Sequence, residues 1–351
     1  MFIKIDSSSL YCIKKIFLLM EINKSLRSYN TFGINSFSDY FLNITSTENL
    51  KKALLINSFE NKFILGGGSN LLLTKNIKDL CLHINIKGKK IIKETSKSIY
   101  LEVNAGENWH ELVLWCVENN YGGIENLAYI PGNIGAAPIQ NIGAYGTELQ
   151  DVFSSCMVME KKTGEIEKFF SNDCEFDYRD SIFKNKYQNK FVITSLCLKL
   201  SKRTHEFNLE YEGILDEIGN KDINLKNIFN AVVKIRKSKL PDPKKIGNSG
   251  SFFKNPVITL NHFNLIKKKF VNIPCYKVSN KLVKIPAAWL IEKVGLKGIK
   301  KNEVGVHVSQ PLVLVNYGNA TGKEILELAY FVKNKIKKEF KIELEFEVNI
   351  I

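Results

Sequence analysis

The chain has 351 residues, 44% of them hydrophobic, and a formal net charge of +14 from 50 Lys and Arg against 36 Asp and Glu. This length predicts two or three domains, and the apolar content permits hydrophobic cores. The charge would suit nucleic acid or an anionic substrate. However, the basic residues are scattered among Asn and Ile and form no aromatic–basic motifs. A general enrichment of the amino-acid composition in Lys, Asn and Ile explains the positive charge at least as well. We therefore expect no nucleic-acid partner.

The seven cysteines form no CxxC pair and have no zinc spacing, so we expect no metal and free buried thiols in a reducing compartment. Residues 1–19 resemble a signal peptide only weakly, because two lysines interrupt a short apolar run. No segment has the length of a membrane helix. We expect a cytoplasmic protein without a membrane partner.

In the first third of the chain, apolar runs predict strands at Lys62–Leu65, 84–92 and 99–103. The GGGSN segment at 66–70 predicts a tight turn after the first of these strands. Residues 108–119 have apolar side chains at helical spacing and end near a Gly-Gly pair, which predicts a helix.

The run of residues 126–146, NLAYIPGNIGAAPIQNIGAYG, holds four glycines and two prolines but no charged side chain. It cannot form a long regular helix, because Gly and Pro interrupt it too often, and it is too apolar for a solvated linker. We predict an ordered, buried loop whose glycines bring backbone N–H groups close to a ligand. A glycine-rich turn between core strands is the alternative.

The rest of the chain mixes strands and helices without a regular βαβ rhythm, which favours an α+β class. Strands are predicted at 152–160, Ile166–Phe170, 191–200 and 341–351, and helices at 221–239 and Gly322–Phe340. The prolines of LPDP, Pro241 and Pro243, mark a candidate boundary. The common dinucleotide motifs are absent, because GGGSNL is not GxGxxG and ATGKE at 320–324 is not a Walker A sequence.

Five blocks in fixed order resemble the UDP-N-acetylenolpyruvoylglucosamine reductases, flavoenzymes of bacterial peptidoglycan precursor synthesis. The blocks are GGGSNLLL (66–73), ENLAYIPGNIGAAPIQNIGAYGTEL (125–149), FDYRDSIFK (176–184), KLPDPKKIGNSGSFFKNP (239–256) and LEFEV (344–348). The likeness runs from about Ser25 to the last strand. Tyr211 and the SIFKNKYQNKF stretch resemble the longer of the family's two types, in which a tyrosine loop folds over substrate.

The resemblance implies an α+β protein with a two-lobed FAD-binding domain of the PCMH or vanillyl-alcohol-oxidase type, followed by a C-terminal α+β substrate-binding domain. Residues 1–19 would be an extension outside the fold. Residues 20–87 with the strand 341–351 would form the first lobe, 88–238 the second lobe and 239–340 the substrate-binding domain.

The implied cofactor is non-covalent FAD, since His83 and His110 lie in no motif of the covalent flavin oxidases. Residues 66–70 would form a backbone nest for its diphosphate, and the glycine run would surround its ring system. The expected FAD contacts are Gly66, Gly67, Gly68, Ser69, Asn70, Pro131, Gly132, Gly135, Gln140, Asn141, Gly143, Ala144 and Tyr145.

The implied reaction reduces the enolpyruvyl ether of a UDP-sugar, with NADPH as reductant. Negative charge then develops on the substrate carboxylate, so the reaction needs a cation, a hydrogen-bond donor and a proton source. Arg179 in DYRDS matches the family arginine that polarises the carboxylate, and Ser251 in GSFFKNP matches the proton donor. Glu347 in LEFEV matches the acid that assists polarisation, although residue pattern alone would not distinguish it from Glu345 on the same strand face.

Without the resemblance, these residues have simpler interpretations. Arg179 would form a surface ion pair with Asp177 or Asp180, residues 247–251 would be a plain turn, and Glu347 would belong to a solvated acidic face. The family pattern also continues with an arginine where this chain has Asn349, which puts one supporting contact in doubt.

The residues that match the family's UDP-sugar contacts are Tyr211, Lys239, Asn255, Lys297 and Gln310. Tyr211 would cover the nucleotide, and the two lysines would neutralise diphosphate charge. We expect a monomer whose partners are this substrate and NADPH. An FAD oxidase that acts on another alcohol or sugar is the main alternative.

Overall fold

The computed structural model describes residues 18–211 and 213–351, which divide into two compact units. The first unit contains residues 18–24, 37–67 and 77–236, apart from residue 212, and the second contains 25–36, 68–76 and 237–351. The predicted extension lies, except for residues 18 and 19, outside the described residues. The predicted division at 87/88 and 238/239 stays a prediction.

The first unit contains two sheets. The first sheet has the strand order β1-β2-β5-β3, in which β2 and β3 both pair in parallel with β5. Its strands are β1 (Glu21–Ser25), β2 (Phe37–Ile44), β3 (Lys62–Leu65) and β5 (Ile77–Ile84). The second sheet is antiparallel, with the order β12-β11-β13-β7-β6 and β8 paired to β13. Its strands are β6 (Lys89–Glu94), β7 (Ser98–Asn104), β8 (Tyr121–Gly122), β11 (Phe153–Glu160), β12 (Ile166–Phe170) and β13 (Phe191–Lys202).

The central strand of the second sheet is β13, and its apolar sequence suits this central position. Nearly all of its first ten side chains are buried, as expected for a strand that is covered on both faces. By contrast, β7 alternates buried and half-buried side chains, which fits a strand with one face on the core. The first unit also contains the hairpin β9 (Gly143–Ala144) and β10 (Thr147–Glu148).

Several of the described α-helices begin at a residue whose side chain caps them. Asn108 accepts a hydrogen bond from the backbone N–H of Glu111 at the start of the predicted helix. Thr321 and Glu324 form a reciprocal capping box at the start of the longest helix. The α-helices are α1 (Thr47–Leu54), α2 (Trp109–Glu118), α3 (Ile214–Ile218), α4 (Leu225–Lys239), α5 (Leu260–Lys269), α6 (Ala287–Lys293) and α7 (Gly322–Phe340). The 3₁₀ helices are Arg27–Tyr29, Glu125–Leu127, Ile134–Gln140, Leu149–Asp151 and Ser171–Cys174.

The second unit contains two three-stranded antiparallel sheets, β14-β16-β15 and β17-β18-β19, and the parallel pair β4–β20. Its strands are β4 (Leu71–Leu72), β14 (Val257–Thr259), β15 (Tyr276–Lys277), β16 (Leu282–Lys284), β17 (Lys300–Lys301), β18 (Val304–Val306), β19 (Leu314–Asn316) and β20 (Asn349–Ile350). The apolar stripe of α7 is buried at helical spacing, from Ile325 to Phe340.

Three predictions from the sequence are wrong. A single strand at 84–92 is replaced by β5 and β6, because the chain turns between Ile84 and Lys89 through Gly88 at φ +127°. The strand predicted at 341–351 is reduced to β20, since most of that alternating segment has no ladder partner beyond a single bridge from Phe346 to Phe253. Cys275 is exposed, whereas the other described cysteines are buried free thiols as predicted.

Gly68 has a positive φ (+61°), and a Cβ there would lie 1.9 Å from the backbone oxygen of Tyr29. We expect Gly68→Ala to lower the free energy of unfolding by about 1–3 kcal/mol more than Gly33→Ala, because overpacking adds to the backbone strain. Gly33 is the matched control, since it has nearly the same φ (+66°) but open space at the Cβ position. Urea unfolding of the two variants measures the difference, and equal losses would contradict the packing role.

Candidate active site

The glycine run is an ordered loop held against the start of α2. The backbone N–H of Ile134 donates to the Glu107 carbonyl, and that of Gly135 donates to the Ala105 carbonyl, both at 2.9 Å. The N–H of Trp109 donates in turn to the Gly132 carbonyl at 3.0 Å. Most of the run is buried or half-buried, as the sequence predicted.

Several glycines of the run allow close packing within the protein. A Cβ at Gly135 would lie 2.7 Å from that of Ala105, and one at Gly143 would lie 2.8 Å from Nη1 of Arg179. A Cβ at Gly146 would meet the side chain of Asn208 at 2.9 Å. Neighbouring protein atoms occupy the space at these three Cβ positions, and the predicted approach of the backbone N–H groups to a ligand stays a prediction.

The first two residues of the GGGSN turn, Gly66 and Gly67, lie in the first unit together with the glycine run. A Cβ at Gly67 would lie 2.9 Å from both the Cα of Gly132 and the side chain of Asn133, whereas one at Gly66 would have no neighbour within 4 Å. The turn thus has a packed side at Gly67 and an open side at Gly66. This open, Cβ-free backbone fits the close approach of a diphosphate, which is the group that the resemblance assigns to it.

Arg179 is fixed in the first unit beside the end of the glycine run. Its Nη2 donates to the Gly143 carbonyl at 2.5 Å, and its Nη1 lies 3.4 Å from a carboxylate oxygen of Glu148. Its backbone has a positive φ (+54°), which is uncommon for a residue with a side chain and marks a strained position. With its side chain only 17% exposed, the guanidinium is held in a defined place.

Glu148 is itself held by Asn141. The Asn141 amide nitrogen donates to the second carboxylate oxygen of Glu148 at 2.8 Å and to the Asp177 carbonyl at 3.2 Å. Its side-chain oxygen accepts from the backbone N–H of Gln150 at 3.0 Å, and Asn141 is fully buried. The predicted FAD contact of Asn141 stays a prediction, one that these internal hydrogen bonds do not favour.

A second arginine, Arg236 of α4, lies in the same neighbourhood. Its Nε donates to the carbonyl of Tyr129, a residue of the run with φ +60°, at 3.1 Å. His110 accepts from the backbone N–H of Tyr129 and stacks on Phe229. Tyr145 hydrogen-bonds to Arg236 through its side chain.

Burial lowers the pKa of Arg236, chiefly by desolvation, and the positive charge of Arg179 acts in the same direction. Burial also raises the pKa of Tyr145, against the opposing effect of Arg236. Two cations that repel each other in a partly desolvated site would both be stabilised by a bound anion. Sequence reasoning missed Arg236, Glu148 and His110 as site residues, because no local pattern distinguishes them from ordinary solvated side chains.

Tyr211 is held against Tyr145, with ring centroids 4.6 Å apart and an interplanar angle of 80°. This edge-to-face geometry is a favourable aromatic contact. Tyr211 is still 39% exposed. The structure therefore places the predicted nucleotide-covering tyrosine beside a predicted FAD contact.

In the second unit, the segments of Ser251 and Glu347 lie side by side. The backbone N–H of Glu347 donates to the carbonyl of Phe252 at 2.9 Å, and Ser251 forms a bridge with Val313. The Asn70 amide donates to the Glu347 carbonyl at 3.2 Å. The predicted proton donor, the predicted acid and part of the GGGSN turn thus share one neighbourhood.

Glu345 and Ser249 are the nearby alternatives to Glu347 and Ser251, and each of the two has its own partners. Glu345 is 74% exposed in its side chain and pairs with Lys254 at 3.3 Å, which fits a solvated ion pair. Ser249 is buried, and its Oγ lies 3.4 Å from both the Thr31 hydroxyl and the Leu71 carbonyl. Asn349, which stands where the family has arginine, donates to the Asn70 carbonyl at 2.9 Å.

The remaining predicted substrate residues are more dispersed. The Asn255 side-chain oxygen accepts from the backbone N–H of Ala287 at 2.9 Å, at the start of α6. Lys297 pairs with Glu292 at 3.0 Å on the surface, and Lys239 is exposed at the end of α4. The carbonyl of Gln310 accepts from Val313, the residue that bridges to Ser251.

Within residues 18–211 and 213–351, no group of three or more His, Cys, Asp and Glu side chains could hold a metal ion. No helix in this same part of the chain is both long enough and apolar enough to cross a membrane.

Two family models match the chain. Residues 242–351 match the C-terminal domain of UDP-N-acetylenolpyruvoylglucosamine reductase, and residues 38–169 match an FAD binding domain. The UDP-N-acetylenolpyruvoylglucosamine reductase of Flavobacterium johnsoniae is 52% identical over 337 residues, which cover 95% of this chain and all of that relative. The enzyme of the same name from Amoebophilus asiaticus is 45% identical, with coverages of 95% and 99%.

Two solved structures share the fold. The reductase of Thermus caldophilus aligns with a TM-score of 0.67 at 21% identity, covering 94% of this chain and 97% of its own. A VAO-type flavoprotein from Myceliophthora thermophila aligns with a TM-score of 0.50 at 12% identity, with coverages of 99% and 88%. At these identities the likeness concerns the fold alone, and it confirms the predicted fold class.

The chain is therefore an oxidoreductase with an FAD-binding domain and FAD as its cofactor. Since relatives that are 52% and 45% identical match it nearly end to end, it belongs to the UDP-N-acetylenolpyruvoylglucosamine reductase family.

Proposed function

We propose that this enzyme reduces UDP-N-acetyl-3-O-(1-carboxyvinyl)-glucosamine to UDP-N-acetylmuramate, a step of peptidoglycan precursor synthesis, with NADPH as reductant. The relatives' shared name supports the substrate class. The observation that carries the proposal is the Arg179 guanidinium, held by Glu148 and the Gly143 carbonyl in a site that contains a second arginine. Such a cation suits a substrate whose carboxylate gains charge during reduction.

The residues proposed to hold FAD are those of the GGGSN turn and the glycine run. The open side of the turn at Gly66 supports this assignment, because backbone N–H groups can reach a diphosphate there. The chemistry that bound FAD supplies is hydride transfer, from NADPH to the vinyl carbon distal to the substrate carboxylate. Non-covalent binding is part of the proposal.

Three side chains are proposed to act on the substrate. Arg179 binds the carboxylate with its planar fork and stabilises the enolate charge. Glu347 assists this polarisation. Ser251 donates its proton to the enolate carbon next to the carboxylate, and the proton from solvent later restores the hydroxyl. Serine is a weak acid, so this step depends on a strongly basic enolate carbon.

The UDP part of the substrate is proposed to contact Tyr211, Lys239, Asn255, Lys297 and Gln310. The edge-to-face contact of Tyr211 with Tyr145 supports a covering role, because a tyrosine held at that place needs little further ordering to cover the nucleotide. Lys297 must exchange its exposed ion pair with Glu292 for a diphosphate oxygen. A cytoplasmic monomer remains the expectation.

The purified protein tests the proposal directly. We expect a yellow protein with a flavin spectrum that oxidises NADPH only when the enolpyruvyl UDP-sugar is present. Release of the flavin on denaturation would support non-covalent binding. If oxygen rapidly reoxidises the reduced flavin and turnover does not need the UDP-sugar, the result would instead favour an FAD oxidase.

Glu148→Gln should lower kcat about tenfold, because it removes the charge that orients Arg179 but keeps an oxygen for Asn141 and Gln150. We expect FAD content to stay unchanged. In an Arg179→Ala background the same change should have almost no further effect, since its role depends on that guanidinium. Additive losses in the double variant would show that Glu148 acts independently of Arg179.

A further inference from the structure

Residues 205–211, which we call the tyrosine segment, lead to Tyr211 in the first unit. The residues of this segment before Tyr211 all lie in the described part of the chain and belong to no helix or strand. Phe207 and Leu209 pack on the hydrophobic core of the first unit. Without a helix or a strand ladder, the polar backbone groups of the segment depend on partners from elsewhere.

Asn126 joins the tyrosine segment to the glycine run. Its amide nitrogen donates to the Asn208 carbonyl and to the Tyr145 carbonyl, both at 2.9 Å. Asn126 is buried, with an exposure of 2%. Two carbonyl oxygens are both acceptors and cannot bond to each other, so a nitrogen that carries two N–H groups is suited to join them. A Ser or Thr hydroxyl in the same place would donate to only one of them.

Asn208 makes a second connection between the same two stretches of chain. Its amide nitrogen donates to the Gly146 carbonyl at 2.9 Å, next in the run to the carbonyl that Asn126 binds. A Cβ at Gly146 would lie 2.9 Å from this side chain, so the two residues fit closely together. The Asn208 side-chain oxygen also accepts from the backbone N–H of Glu210 at 3.3 Å. We call Asn126 and Asn208 the asparagine clamp.

His205 fixes the start of the tyrosine segment. Its Nδ1 lies 2.7 Å from the hydroxyl oxygen of Ser201, a residue of β13, and its Nε2 lies 3.1 Å from the side-chain oxygen of Asn120. The segment is therefore held at its start by His205 and in its middle by the asparagine clamp. Only its last residues, which carry the tyrosine ring, extend beyond these connections.

We propose that Asn126 and Asn208 are positioning residues that hold Tyr211 where it covers the nucleotide part of the substrate. This inference rests on the proposed function, to which the covering role of Tyr211 belongs. Asn126 binds the carbonyl of Tyr145, the residue whose ring lies 4.6 Å from the Tyr211 ring. The clamp and the ring contact thus connect the same two stretches of chain at two places. A segment that is ordered before the substrate arrives loses less conformational freedom on binding, which favours affinity.

Asn208→Ala tests the clamp, because it removes the donor to the Gly146 carbonyl without adding a charge near the substrate diphosphate. Asn126 is less suitable, since its burial means that its replacement would also reduce the free energy of unfolding. The Kd of the enolpyruvyl UDP-sugar can be measured from the change in the flavin spectrum when the oxidised, FAD-loaded protein is titrated. We expect this Kd to rise about five- to tenfold in Asn208→Ala.

Two further measurements separate positioning from a general loss of stability. The kcat at saturating substrate should stay within about twofold of the unchanged protein, because Arg179 and Ser251 keep their surroundings. Amide hydrogen exchange of residues 205–211 in the protein without substrate should become faster in Asn208→Ala. Tyr211→Ala should raise the Kd at least about tenfold. In that background Asn208→Ala should have almost no further effect, because the clamp acts on binding through Tyr211.

Asn227→Ala is the matched control. Its amide also donates to a backbone carbonyl, that of Asp222 at 2.8 Å, and it lies in the first unit near the start of α4. This control should leave both the Kd and the hydrogen exchange of residues 205–211 unchanged.

The possible failures are distinguishable. If Tyr211→Ala leaves the Kd unchanged, Tyr211 does not cover the nucleotide, and this part of the proposed function is wrong together with the inference. If Tyr211→Ala weakens binding but Asn208→Ala does not, the proposed function stands and the inference is overturned. Additive losses in the double variant, or an equal loss of affinity in Asn227→Ala, would also overturn it.

Discussion

Replacing Arg179 with alanine should lower kcat for substrate-dependent NADPH oxidation by about 10²–10³, because removing a donor that stabilises developing negative charge has an effect of this size. The guanidinium is well placed for the role, held by Glu148 at 3.4 Å and by the Gly143 carbonyl at 2.5 Å. Flavin content should stay near that of the unchanged protein. Arg179→Lys should restore only part of the loss, since an ammonium group keeps the charge but not the planar fork.

Arg203→Ala is the matched control for this change. Arg203 is exposed, and its φ of +72° means that alanine meets a backbone strain similar to that at Arg179, with φ +54°. The control should retain full turnover. If Arg179→Ala and Arg203→Ala lose the same small amount, backbone strain explains the result and the proposed role of Arg179 is wrong.

Replacing Ser251 with alanine should lower kcat by about 10²–10⁴, the usual contribution of a positioned general acid. Reduction of the flavin by NADPH alone should proceed at the normal rate, because that half of the reaction needs no proton from Ser251. Stopped-flow measurement of flavin reduction, compared with steady-state turnover, separates the two effects. A variant that turns over substrate at the normal rate would remove Ser251 from the mechanism.

Ser249→Ala is the matched control for Ser251→Ala. Ser249 lies two residues earlier in the same turn, and its hydroxyl makes long contacts of 3.4 Å to the Thr31 hydroxyl and the Leu71 carbonyl. Its loss should reduce the free energy of unfolding by about 1 kcal/mol and leave turnover unchanged. A larger loss of turnover in Ser249→Ala than in Ser251→Ala would mean that the two serines have been assigned in the wrong order.

The structure of the glycine run could be predicted from its sequence only in part. Its composition correctly predicted an ordered loop, because a run so rich in Gly and Pro and so poor in charge can be neither a long helix nor a solvated linker. The composition of the run does not show which residue from elsewhere in the chain packs against each glycine. Gly135 admits Ala105 and Gly143 admits Arg179, from segments 30 and 36 residues away in the chain.

The cluster of charged residues around Arg179 could not be predicted from the sequence. Glu148 lies 31 residues from Arg179, and Arg236 lies 107 residues from the Tyr129 carbonyl that it binds. Residue type alone gives each of them an ordinary surface role, since most charged side chains are solvated. Only the fold, which ties the run to α2 and α4, makes them neighbours.

By itself, the sequence determined the family, the cofactor class and the position of several of the longer helices and strands, because these depend on local periodicity, caps and long collinear motifs. It also identified Arg179, Ser251 and Glu347 as the residues to test. The tertiary structure decided what surrounds Arg179: the Asn141–Glu148–Arg179 chain of hydrogen bonds and the second arginine. These features arise mainly from contacts between segments far apart in the chain, which no local pattern encodes.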